Sequence, residues 1–214
     1  MVRRAQWLWL MASLIPAADA AAQPTAGPIP RFAVDARGSL ARFKQDTAVA
    51  SALQVDSTNL PTFGLGVTVG GHVYVLRTRK ITIGLGGEMV LARDSSTVRV
   101  EEGAEEGPTI TTKLSGFAPQ ISFNFGRDEG WSYFSGGLGA ARMTTERSDI
   151  TVAGTPARTR MLNYGGGARF FNTPHLAFTF DIRFYAISPR DGTTTVPGYP
   201  RAKFMVLSAG VAFK

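Results

Sequence analysis

The chain has 214 residues, 44% of them hydrophobic and 18% charged, with 24 glycines and a formal net charge of +7. It contains no cysteine, which excludes disulfide scaffolds, thiolate metal sites, iron–sulfur clusters and cysteine nucleophiles; its two histidines, His72 and His175, are too few for a zinc site built on imidazoles. Fourteen phenylalanines exclude a chain that stays solvated and disordered.

Arg3 and Arg4 precede the apolar run Trp7–Ile15, which is followed by the small residues Ala17, Ala18, Ala20, Ala21 and Ala22. This three-part pattern predicts a signal peptide over residues 1–22, cleaved after Ala20 or Ala22. Residues 23–30 form a short polar lead with Pro24, Pro28 and Pro30, and residues 31–214 read as one unit. No later segment offers the ~18 uninterrupted apolar residues a membrane-spanning helix needs.

From residue 32 the apolar side chains recur at every second position, the strand period. Eight strands are predicted in chain order: Phe32 to Leu40, Phe63 to Val75, Ile81 to Leu91, Phe117 to Phe125, a blurred fifth at Phe134 to Ala140, Leu162 to Phe170, the clearest alternation at Leu176 to Phe184, and Met205 to Phe213. No helical periodicity of useful length follows the signal. Tight connections at 77–80, 127–130 and 172–175 alternate with long ones at 43–60, 93–116, 144–160 and 188–201. An all-β, eight-stranded antiparallel up-and-down transmembrane β-barrel, with short periplasmic turns and long extracellular loops, sorts its connections in this way. Pro119 falls inside the fourth strand, where a closed sheet has no edge, and so predicts either a bulge or a strand that starts after it.

The two faces of these strands differ in kind. One is large, apolar and aromatic, and suits lipid. The other carries many glycines together with Asp35, Arg37, Glu88, Arg169, Asp181 and Arg183, three acids against three bases. Eight strands leave a narrow lumen, and charges are tolerated there only when paired and hydrogen-bonded. An internal ion-pair network is therefore expected, with Glu88 between Arg37 and Arg183 and with Asp35 and Asp181 on the remaining guanidinium groups. Trp131, Tyr133, Tyr164 and Tyr185 are candidates for the aromatic girdles of a membrane barrel.

The last strand, Met205 to Lys214, alternates and carries an aromatic, Phe213, almost at its end. Together with the export signal, the loop asymmetry and tracts such as Ala118–Gly126 and Gly130–Tyr133, this resembles the small outer-membrane β-barrel family, the porin-like barrels that include the OmpA membrane domain, OmpX and OmpW. The resemblance covers residues 31–214. It implies residence in the cell outer membrane after export, contact with outer-membrane lipid and lipopolysaccharide, and insertion by the barrel assembly machinery through a terminal strand signalled by Phe213. Lys214 after Phe213 departs from the usual terminal aromatic.

No cofactor, metal or catalytic site is expected. Gly64-Leu65-Gly66 and Gly84-Leu85-Gly86-Gly87 do not complete a phosphate-binding fingerprint before a helix. His72 and His175 both fall near short turns, away from any outer-leaflet substrate, and Ser122 and Ser208 gain nothing without a base. Glu101, Glu102, Glu105 and Glu106 read as a solvated hairpin tip rather than a cation site. The flanks Ser96–Val100 and Thr109–Lys113, and Asp149–Val152 and Ala157–Met161, predict strands that outrun the membrane, whose edges could add a partner strand. Basic residues at the long-loop end (Arg42, Lys44, Arg93, Lys113, Arg142, Arg158, Arg160, Arg201 and Lys203) read either as contacts for lipopolysaccharide phosphates or as ordinary solvated charges. They are too scattered for nucleic acid. The expected function is non-enzymatic, an envelope-structural or surface-interaction role through the loops at 43–60, 93–116, 144–160 and 188–201. The alternative is a narrow porin-like channel for small or apolar solutes, against which the lumen charges argue.

Overall fold

The computed structural model describes residues 27–98, 107–150, 156–192 and 198–214. The expected signal peptide and the carboxylates Glu101, Glu102, Glu105 and Glu106 lie outside the described residues, as do Val100, Thr151 and Val152. The described residues form eight strands: β1 (Phe32–Arg42), β2 (Phe63–Arg77), β3 (Thr82–Thr97), β4 (Thr109–Arg127), β5 (Gly130–Arg147), β6 (Thr159–Phe171), β7 (Leu176–Ile187) and β8 (Ala202–Phe213). Each pairs antiparallel with the next, and β1 also pairs with β8, so the sheet closes into an up-and-down barrel.

Period two decides which way each side chain points. In β7, Phe178, Phe180, Ile182 and Phe184 are exposed on the outside, while Thr179, Asp181, Arg183 and Tyr185 are buried inside. The blurred fifth strand obeys the same rule. Phe134 and Leu138 are 67% and 74% exposed, which turns Trp131, Tyr133 and Ser135 inward. Three of the four expected girdle residues are therefore lumen residues: Trp131, Tyr133 and Tyr185 are buried, and only Tyr164 faces out, stacked on Phe184 at 5.5 Å. Their residue type suggested an interface, but their position relative to Phe134 and Phe184 sets their side.

Pro119 makes no bulge. It sits opposite Gly87 in an unbroken β3–β4 register. On the other side the β4–β5 ladder opens between Phe117↔Ala140 and Ile121↔Gly136, then resumes in the same register. A proline lacks the N–H that a ladder needs, and this barrel accommodates it by interrupting one ladder instead of adding a residue. The register shift that does occur lies between Tyr74 and Leu76 on the β2–β3 pair, so Val75 and Leu76 both face outward.

At the short-turn end, Gly126 adopts φ +140° ahead of the β4–β5 turn, a backbone conformation open mainly to glycine. Lys214 reaches across this end, donating from Nζ to the Asp128 carbonyl and standing 4.1 Å above the Phe171 ring. Residues 27–30 belong to the same region: the Gly27 carbonyl accepts from Asp128 N–H at 3.1 Å, and Ile29 is buried against the barrel base.

At the long-loop end, β3, β4 and β5 outrun their neighbours. The β3–β4 pairing continues to Thr97↔Thr109 and the β4–β5 pairing to Ile110↔Arg147, whereas the β5–β6 pairing ends at Ala141↔Thr159. The expected extension of the sixth strand starts at Thr159 and not at Ala157, since residues 157–158 are not strand, and Arg142–Arg147 of β5 pair on one side only among the described residues. The loop 43–62 holds a six-residue helix, α1 (Thr47–Ala52), and a 3₁₀ turn, η1 (Ser57–Asn59). Both are too short to carry a readable period. Asp46 and Asp56 cap them, accepting from Ala48 N–H at 2.9 Å and Thr58 N–H at 3.1 Å.

Candidate functional site

The lumen is filled in three layers. At the short-turn end Ile29, Ala33, Tyr74, Trp131 and Tyr133 form an apolar base. Tyr74 meets Trp131 edge-on at 6.0 Å, and Trp131 stacks on Phe171 at 5.0 Å.

The middle layer holds the six charged residues, which the structure brings together. Arg37 on β1 contacts three acids: Asp35 at 2.8 Å, Glu88 at 2.5 Å and Asp181 at 3.1 Å. Glu88 on β3 lies between Arg37 and Arg183, the latter at 3.1 Å. Asp35 also takes Arg169 at 2.5 Å, and Asp181 takes Arg183 at 2.9 Å. Phenols and a hydroxyl complete the shell. Tyr133 donates to Asp181 and Tyr185 to Glu88, each at 2.7 Å, and Arg183 donates to Ser135 at 2.8 Å. Arg169 lies over the Tyr133 ring at 4.4 Å. All six charged residues are at most 4% exposed. Taking such charges out of water costs several kcal/mol each unless mutual contacts and hydrogen bonds offset it. Here every acid meets at least two cations. Glycines make the room: a Cβ on Gly167 would stand 2.7 Å from the Tyr133 hydroxyl that serves Asp181.

The third layer, toward the long loops, is apolar. Phe43, Val90, Leu114, Met143, Met161 and Phe204 cluster with Tyr185 inside the barrel. Phe204 stacks on Tyr185 at 5.4 Å and meets Phe43 edge-on at 5.9 Å. Sequence reasoning missed this layer, because near the long loops both faces of several strands are apolar and alternation alone does not separate them. The inward parity of Leu114 and Met143, counted from Phe117 and Phe134, carried the signal.

Above the apolar layer, α1 and its flanks cover the mouth. Val49, Leu53 and Leu60 pack with Ile110, and Tyr199 packs against them. The Leu53 carbonyl accepts from Arg147 at 2.9 Å, and Ser96 Oγ donates to the Asn59 carbonyl. Arg147 pairs with Asp149 at 2.8 Å and Lys113 with Glu146 at 2.9 Å. A recess of about 400 Å³ opens here between α1, the outer ends of β4 and β5, and Tyr199. Burial raises the Tyr199 phenol pKa above its ordinary value. Thr58 N–H and hydroxyl contacts hold the Asp56 carboxyl below its ordinary range.

His72 is buried in the lumen and His175 is exposed in the β6–β7 turn. Ser122 is buried in the lumen, accepting from Asn124 at 3.0 Å, and Ser208 is buried opposite Asp181. Phe213 is half exposed on the outer face, paired with Val34 and Leu176. Of the cations expected at the long-loop end, all but Arg142 are exposed.

No known protein-family model matches the chain, and no curated protein is similar to it in sequence. Solved structures share its fold. The neisserial surface protein A, NspA, is 14% identical with a TM-score of 0.55, the match covering 86% of this chain and 97% of the other. OprG, an outer membrane protein of Pseudomonas aeruginosa, is 11% identical with a TM-score of 0.48 over 88% of this chain and 97% of its own. Ail, the attachment invasion locus protein of Yersinia pestis, solved with the heparin analogue sucrose octasulfate, is 15% identical with a TM-score of 0.47 over 85% and 97%.

Proposed function

We propose that this chain, whose fold is that of the small outer-membrane β-barrels, is a closed, non-enzymatic barrel resident in the outer membrane that holds a surface-interaction platform above it. The observation that carries this reading is the filled lumen, with an apolar base, a fully paired charge layer and an apolar upper layer in series. A barrel packed in this way anchors; a conducting one keeps a wet path. The outer face supports membrane residence: it is a continuous belt of exposed Val, Leu, Ile and Phe on all eight strands, and only a hydrocarbon solvent favours that over a buried position. With the short turns in the periplasm, the extended β3–β5 sheet, α1 and the recess face the exterior. The one-sided stretch Arg142–Arg147 offers backbone groups to an added strand. His72 and Ser122 sit inside the lumen, away from outer-leaflet substrates, which supports the non-enzymatic assignment.

The test is conductance of the folded protein in a planar bilayer, folding being confirmed by altered mobility of the unboiled protein on a gel. Silence is expected. Steady discrete openings would overturn the closed lumen and move the function to small-solute passage.

A further inference from the structure

At the long-loop lip of the wall lies an open cleft of about 870 Å³, lined by outward-facing residues and bordered by Phe43, Tyr185 and Phe204 of the upper lumen layer. The strand register explains its build. Arg42, Met205, Phe184 and Tyr164 form one row across β1, β8, β7 and β6, and Lys203 stands one row nearer the loops, beside Ala186 and Leu162. Lys44 and Arg201 complete the rim. Four exposed cations thus ring the top of an apolar wall, and the lining contains no Asp or Glu. None of the four forms an ion pair with a described residue. By contrast, Lys113 and Arg147, at the same end, both have acid partners. Below the cations the wall continues into an apolar furrow of about 640 Å³. Tyr164 and Phe184 form its upper lip, Phe134 and Ile182 its sides, and the outward-facing Gly166 its floor.

Cations above, aliphatic and aromatic surface below, and a furrow running down the wall match one ligand chemistry: a phosphate attached to an acyl chain. Guanidinium groups pair well with phosphate oxygens, and lysine stems pack on apolar surface while the ammonium stays in water. The row carrying the cations is where the exposed apolar wall gives way to the loops, the height of lipid headgroups for a barrel embedded in a membrane. We propose that this cleft is a binding site for an anionic membrane lipid that bears a phosphomonoester, with the phosphate held by Arg42, Lys44, Arg201 and Lys203 and an acyl chain lying over Tyr164 and Phe184 toward Gly166. The inference rests on the membrane residence proposed above.

The test is native mass spectrometry of the folded protein in neutral detergent, titrated with dioleoyl phosphatidic acid, lipid A or dioleoyl phosphatidylcholine, with inorganic phosphate as competitor. One molecule of either phosphomonoester lipid, phosphatidic acid or lipid A, should be retained at least tenfold more tightly than zwitterionic phosphatidylcholine. The combined variant Arg42→Gln, Arg201→Gln, Lys203→Gln should lose that preference, and the charge-keeping double variant Arg42→Lys, Arg201→Lys should keep most of it. A control with Arg77, Arg79 and Lys80 changed to Gln at the opposite end should bind as the parent does. Equal retention of phosphatidylcholine, an unaffected rim variant, or loss in the opposite-end control would overturn the site. Displacement of the lipid by millimolar inorganic phosphate alone would overturn the acyl-chain contribution and leave an anion site. Altered unboiled mobility identifies any variant that fails to fold. A protein that stays monodisperse without detergent would overturn membrane residence itself, an outcome distinct from a membrane-embedded barrel with no lipid preference.

Discussion

Two groups of cations in this barrel use the same side chains in opposite ways. Arg37, Arg169 and Arg183 are buried mid-lumen, each within 3.1 Å of at least one carboxylate. Arg42, Lys44, Arg201 and Lys203 stand exposed at the outer lip, with no acid in the lining of their cleft. Inside, low dielectric makes an unpaired charge intolerable, so the sequence supplies an acid for every base. At the lip, water solvates the cation, no internal partner is required, and the charge remains available to something outside the chain. Pairing thus separates the charges that hold the fold from those free to bind.

The sharpest way to break this contrast is to remove the central base. Arg37→Met leaves Asp35, Glu88 and Asp181 to share the two guanidinium groups of Arg169 and Arg183, one buried negative charge in excess, and is expected to destabilise the folded barrel by about 3–5 kcal/mol, the range for leaving a buried charge uncompensated. Reversible urea unfolding in lipid vesicles measures it; a loss under about 1 kcal/mol, no more than an exposed ion pair contributes, would mean the network is hydrated and dispensable. Glu88→Gln comes next, and combining it with Arg37→Met should cost clearly less than the two separate losses together, because both changes act on one contact. Tyr133→Phe removes one hydrogen bond to Asp181 and should cost about 1–2 kcal/mol in the same assay. At the lip, Arg201→Gln with Lys203→Gln should change stability by no more than about 0.5 kcal/mol; a larger loss would show that these cations have structural partners after all.

The smallest effect concerns the loop platform. The Asp56 carboxyl has a lowered pKa, so its contribution is present above the unfolded value near about 3.9 and fades as pH falls through the lower folded value. Amide exchange at Thr58 should rise in that acid window in the parent chain and be flatter in Asp56→Asn, which keeps a capping acceptor without a titrating group.

The parts of this architecture that obey a strict period were readable from the chain. Leu176 to Phe184 alternates so cleanly that both faces of β7 follow from it, and the six lumen charges share that face throughout. Trp131, Tyr133 and Tyr185 were misassigned because amphipathic aromatics suit both a membrane interface and a crowded lumen, and only parity distinguishes the two. Phe43, Met161 and Phe204 escaped because near the long loops both faces carry apolar residues, as at Leu162 beside Met161 and Met205 beside Phe204, so alternation does not tell lumen from lipid face. Ile29 escaped because a proline-rich lead gives no pattern, and its burial depends on the cavity that distant strands enclose. The lip cleft depends on register between strands far apart in sequence, which no local pattern records.

The middle layer also has a consequence in time. Arg37 reaches Glu88 across 51 residues of chain, Tyr185 reaches Glu88 across 97, and Arg169 reaches Asp35 across 134. Asp35 with Arg37 and Asp181 with Arg183 can pair within one strand, but Glu88 finds its cations only on β1 and β7 and Arg169 its acid only on β1, so a half-built sheet keeps Arg169 wetted until β6 comes round to face β1. Closing the sheet, more than zipping any single strand pair, is what completes this layer, and a variant with a neutral lumen is expected to close sooner, as read by the rate at which unboiled gel mobility changes on refolding.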